Sequence, residues 1–72
     1  MPGADVPIRD QTIRLGQLLK LADLIEQGSD ARALLETSAV FVNGEVETRR
    51  GRQLRPGDVV SVGARTVRVA AG

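Results

Sequence analysis

The spacing of apolar residues changes period near residue 39, and that change limits the fold more than any other feature of the chain. Before it, Leu15, Leu18, Leu19, Ala22 and Ile25 recur in steps of three and four, the spacing of one helix face. Thr12 as an N-cap and Gly28 as a stop bound a first helix over residues 13–27. Ser29 is placed to cap a second helix, which carries Ala31, Leu34 and Leu35 on its apolar face and ends near Thr37 or Ser38. Beyond the change, Val40 and Val42, Val60 and Val62, and Val67 and Val69 alternate with other residues, as half-buried strands do. Asn43-Gly44 between such alternations signals a tight hairpin. Pro56-Gly57 suits the middle of a type II turn, and Gly63-Ala64 suits a second hairpin. The order helix, helix, strands predicts an α+β fold, two N-terminal helices packed on a small antiparallel sheet. Residues 1–11 are expected to form a flexible arm or a short strand around Val6–Ile8, and residues 12–70 the domain.

Seventy-two residues bury only about 60% of the surface their unfolded chain exposes. That supports one modest core and leaves little material for a walled catalytic cleft. The chain has no cysteine and no histidine. Disulfides, common zinc sites and the most frequent general base are therefore all missing. Ser29, Ser38 and Ser61 have no histidine to activate them. Glu45, Glu47 and Asp58 lie beside turns and arginines, where pairing explains them better than acid–base work. We expect no enzyme, no cofactor, no metal and no small-molecule substrate. Phe41 is the only aromatic, so extensive base stacking is not expected. It reads as a core residue, with stacking on a base as the alternative. The start of the chain lacks the basic and apolar segments of a signal peptide. No apolar run approaches the ~18 residues of a membrane span. A cytoplasmic monomer is the corresponding expectation.

The near-neutral total charge of +1 hides a strong asymmetry. Residues 1–48 carry four basic and eight acidic side chains, whereas residues 49–72 carry six arginines against Asp58 alone. A locally positive field of this kind suits an anionic partner. The other reading is a solvated surface whose arginines pair with the acidic helices.

Residues 13–35, IRLGQLLKLADLIEQGSDARALL, resemble the two-helix part of the S-four RNA-binding domain. Residues 40–58, VFVNGEVETRRGRQLRPGD, resemble the strand section that follows it. The likeness extends over about residues 13–69 and is nearest to the stand-alone bacterial proteins of the YbcJ-like, ribosome-associated group. It implies two helices against a short, strongly bent sheet (an alpha-L-like fold) and binding of structured RNA, ribosomal or transfer, possibly on a ribosomal subunit. On this resemblance Arg32 matches a basic position of the second helix and Lys20 a lysine of the first. Asn43 and Gly44 match the turn, and the run from Glu47 to Arg52 matches the signature loop. The chain departs from the family pattern in three ways. Ser38 and Asp23 each stand where glycine is usual, and basic residues are usual near Ala39 or Phe41, which are apolar here.

The RNA-binding candidates are Arg49, Arg50, Arg52, Arg32, Lys20, Arg14 and Arg55. Guanidinium forks suit phosphate oxygens, and helical RNA is read mainly through shape, phosphates and 2′-hydroxyls. Arg32 near the start of the second helix has an alternative as the partner of Glu36, one turn on. Arg65 and Arg68 read as solvated. Asn43, Gly44, Gly51 and Gly57 are turn or structural residues, with Gly51 letting the loop bend towards a ligand. The functional expectation is an RNA-binding accessory protein for ribosomal RNA or a ribosomal particle. One alternative is a module that docks on a ribosomal or other protein. Another is a β-grasp sulfur carrier, to which VNGEV and PGDVVSV are also similar. Sulfur carriers end in Gly-Gly, however, and this chain ends in Ala71-Gly72.

Overall fold

A computed structural model describes residues 4–25 and 28–72, with all of their side chains except those of Gly28 and Ser29. The elements follow in the order β1 (Ala4–Ile8), β2 (Ile13–Arg14), α1 (Leu15–Leu21), α2 (Gly28–Glu36), β3 (Val40–Val42), β4 (Glu45–Val46), β5 (Gln53–Leu54), β6 (Val59–Val62) and β7 (Arg65–Ala71).

This arrangement corrects the expected fold class of two N-terminal helices on an antiparallel sheet. The main sheet has five strands in the order β1-β7-β6-β3-β4 and is mixed, because β1 runs parallel to β7. The helices do not open the chain. They follow β1 and β2, are short, and are outnumbered by the seven strands of the described residues. The cause lies at the N-terminus. Val6 and Ile8 bury one face of β1 against the long alternation of β7, with Val6 opposite Val69 and Ile8 opposite Ala71. Two apolar residues leave an arm and a short strand both open, and they become a strand only beside a partner about sixty residues away. Pro7 is tolerated because β1 is an edge strand.

The first helix is also shorter than its apolar spacing suggests. Ile13 and Arg14 pair antiparallel with Leu54 and Gln53, and the helix starts only at Leu15. The first-turn N–H groups of Leu15 and Gly16 donate to the carbonyls of Arg52 and Arg50, at 2.8 and 3.0 Å. A loop distant in sequence thus satisfies donors that a helix start leaves open. At the other end Asp23 takes a left-handed conformation (φ 59°). Asp23 N–H donates to Lys20 and Leu24 N–H to Leu19, which is a Schellman cap. This cap, not Gly28, stops the helix, and Gly28 instead begins α2. The expected helical end at Gln27 and the capping side chain of Ser29 lie outside the described residues. Helix α2 also ends on a left-handed residue, Ser38 at φ 58°, with its N–H on the Leu35 carbonyl.

Two tight hairpins complete the sheet. Asn43 (φ 52°) and Gly44 (φ 84°) join β3 to β4 with both central residues left-handed, as a type I′ turn requires. Gly63 (φ 59°) and Ala64 join β6 to β7. One aliphatic cluster forms the core. It takes Leu15, Leu18 and Leu19 from α1, Ala31 and Leu35 from α2, and Val40, Val42, Leu54, Val60, Val67 and Val69 from the strands. Phe41 is not part of it. Its neighbours Val40 and Val42 point inwards, so Phe41 faces outwards opposite Val46 of β4.

Candidate nucleic-acid interface

The loop between β4 and β5 is organised by a buried carboxylate. Glu47 is 5% exposed, and its backbone N–H is fixed to the Val40 carbonyl at 2.9 Å. One carboxylate oxygen accepts from the backbone N–H groups of Thr48 and Arg49, both at 3.0 Å, and from Arg49 Nε at 3.2 Å. The other accepts from Arg49 Nη2 at 3.2 Å and Arg52 Nη1 at 3.0 Å. Five donors on one carboxylate favour its charged form. The side-chain bond from Arg49 is the main cause, followed by the Arg49 backbone bond, and burial opposes both. Together with Arg52 they hold Glu47 at about 2. In return the bond to Glu47 raises Arg49 above the usual arginine range.

The three arginines of the loop therefore differ. Arg49 and Arg52 share one counter-charge. The Arg49 side chain is still largely exposed, and that of Arg52 is about one-third exposed. Arg50 forms no ion pair among the described residues. Its side chain lies across α1 at Gly16, where a Cβ would stand 2.6 Å from Arg50 Cγ. The absence of a side chain at Gly16 is what lets Arg50 lie there.

Arg50 borders two grooves. One, of about 380 Å³, is lined by Arg14, Gly16, Gln17, Lys20, Ala31, Arg50 and Gly51. The other, of about 370 Å³, is bounded by Arg32, Leu35, Glu36, Thr48 and Arg50. The first carries three cations and no carboxylate. In the second, Arg32 Nε bonds Glu36 at 3.3 Å with both side chains exposed, a pair that contributes little to stability.

The remaining candidates lie elsewhere. Arg55 lines neither groove, and its backbone N–H donates to Asp58 Oδ2 at 2.8 Å. Gly51 borders the first groove and has open space around it. Asn43 ties the first hairpin to β6. Its amide donates to Asp58 Oδ1 at 3.1 Å, and its carbonyl oxygen accepts from Val59 N–H at 2.9 Å. Burial tends to raise Asp58, but the bonds from Arg55 N–H and the Asn43 amide outweigh it and leave the carboxyl lowered. Gly57 (φ 102°) occupies the turn after Pro56, closed by Asp58 N–H on the Arg55 carbonyl at 3.0 Å.

Sequence reasoning did not single out Gly16. It read Glu47, with Glu45 and Asp58, as pairing with nearby arginines, which the structure shows for Glu47, but did not single it out as the counter-charge shared by Arg49 and Arg52. A glycine early in an apolar helix pattern is a signal of close packing. A lone acid in ETRRGR is a weaker sign of a shared counter-ion. Among the described residues no group of carboxylates could hold a metal, and no helix is long and apolar enough to cross a membrane.

The S4 domain family pattern matches residues 6–70. The chain is 47% identical over 57 residues to a Bacillus subtilis (strain 168) protein named "Probable ribosome maturation protein RlbA", an alignment that covers 79% of this chain and 80% of that protein. With nearly its whole length matched and a relative this similar, the chain belongs to the S4 domain family.

Proposed function

We propose that this chain binds structured RNA, ribosomal RNA or a ribosomal particle during its maturation, and performs no catalysis. The observation that carries the reading is the seating of Arg50 against Gly16, which brings its guanidinium stem into one groove with Arg14 and Lys20. Three cations with no carboxylate among them suit consecutive phosphates. Arg49 and Arg52, in the same loop as Arg50, are held in orientations set by Glu47, so they reach an RNA with fewer rotamers left to lose. Arg32 extends the surface across α2 if an RNA phosphate displaces it from Glu36. Arg55 lines neither groove and is not tied to Glu47, so it contributes least. The similarity to a protein named for ribosome maturation supports the ribosomal context.

The test is binding of ribosomal RNA fragments across a salt series. Wild type should lose affinity steeply as salt rises, since phosphate contacts release counter-ions. Arg50→Ala should lower the salt slope by about one and weaken all RNAs alike. The combined Arg49→Ala, Arg50→Ala and Arg52→Ala variant should lose most of the affinity. If wild type and the triple variant bind RNA equally weakly, the reading fails. Docking on a ribosomal protein would then be favoured, for which the exposed Phe41 and Val46 offer an apolar surface.

A further inference from the structure

A second concavity begins where the basic groove ends. Gln17 and Lys20 border both. On the far side of α1 they open onto a hollow of about 680 Å³ between the end of β1, the loop that follows it and α1. Ile8, Ile13 and Leu21 supply its apolar wall. Leu21 is 55% exposed, the highest value among the large apolar residues left at the described surface. Asp10, Thr12 and Gln17 add hydrogen-bonding groups, and Arg9 joins Lys20 as a second cation.

We infer that this hollow receives one unpaired nucleobase of the RNA whose phosphates follow Arg14, Lys20 and Arg50. The inference rests on the RNA-binding reading of the basic groove and names the part of the RNA that lies beyond it. A strand leaving the groove enters the hollow without a break, because Gln17 and Lys20 stand one helical turn apart and belong to both. The apolar wall covers the face of a base in a protein that has no second aromatic to stack on it. Asp10 accepts from base N–H groups, the Thr12 hydroxyl donates and accepts, and Gln17, whose oxygen already accepts from Arg14 N–H at 3.3 Å, donates through its amide NH2. Two cations against one carboxylate suit a neutral base flanked by phosphates. An acyl chain would leave the carboxylate and the amide unused.

The test compares a short RNA stem, the same stem with one bulged nucleotide (each base in turn), and the stem with an abasic bulge. Each is titrated against the full wild-type chain, Leu21→Ser and Arg50→Ala. Leu21 is exposed, so Leu21→Ser keeps the fold, which circular dichroism checks. Wild type is expected to prefer at least one bulged base over the abasic stem by roughly fivefold to tenfold. Leu21→Ser should lose that preference while binding the abasic stem as wild type does. A bulged 2-aminopurine should change its fluorescence with wild type and not with Leu21→Ser. Equal binding of bulged and abasic stems by wild type overturns the inference, and so does a preference that survives Leu21→Ser. In either case weakening of all stems by Arg50→Ala leaves the RNA-binding reading standing. Failure of wild type to bind any stem overturns both.

Discussion

Glu47 binds two arginines and two backbone N–H groups at once, so its loss disorders a loop as well as a charge. Glu47→Gln keeps the size but removes the charge-assisted bonds, and we expect a loss of about 2–3 kcal/mol in urea unfolding. Its RNA affinity should fall even though the variant gains positive charge, because Arg49 and Arg52 are then no longer held in place. Gly16→Ala should act in the opposite proportion. The new methyl group meets Arg50 Cγ and pushes that side chain out of the groove. RNA binding should drop several-fold while stability changes by less than about 1 kcal/mol. Asp23 and Ser38 hold left-handed backbones that disfavour any side chain. Ser38→Gly should raise stability by about 0.5–1 kcal/mol, read as a higher urea midpoint at constant m. The family's usual glycine at these two positions thus has a conformational cause. The basic character of residues 49–52 was legible in the sequence. The division of those arginines between Glu47 and Gly16 was not, because it depends on how the loop curls back onto α1.

At the scale of elements, legibility followed the distance between partners in the chain. Strands β3, β6 and β7 showed as alternations, and β3–β4 and β6–β7 join through two-residue turns, so each hairpin finds its partner locally. Gly44→Ala in the first of these should cost about 1–2 kcal/mol, because φ 84° is hostile to a Cβ even where space is open. Thermal unfolding measures that cost. Strands β1, β2 and β5 depend on partners far along the chain: Val6–Ile8 reads only as an arm or a short strand, and neither period nor turn chemistry announces β2 and β5. The same dependence shortened α1, since Ile13 and Arg14 fit the helical pattern yet pair with Gln53 and Leu54. Phe41 shows the converse. Its apolar character suggested the core, but strand parity set by Val40 and Val42 turned it outwards.

For the whole molecule, Glu47 links stability to acidity. Its carboxyl sits at about 2 in the folded chain against an ordinary 4.5. The stabilisation that this difference supplies is fully present above pH ~4.5 and is lost as pH falls towards 2, roughly 3 kcal/mol in all. Urea midpoints should therefore be flat in this respect from pH 7 to about 5 and decline below that. Glu47→Gln should start lower and show a shallower acid decline. The parallel pairing of β1 with β7 has a different kind of consequence. Strand β1 joins the sheet only through β7, some sixty residues later in the chain. Until β7 has been synthesised, Val6 and Ile8 have no partner strand to cover them. The sheet can close on β1 only after β7 has emerged, so a nascent chain stalled before residue 65 exposes an unpaired apolar strand.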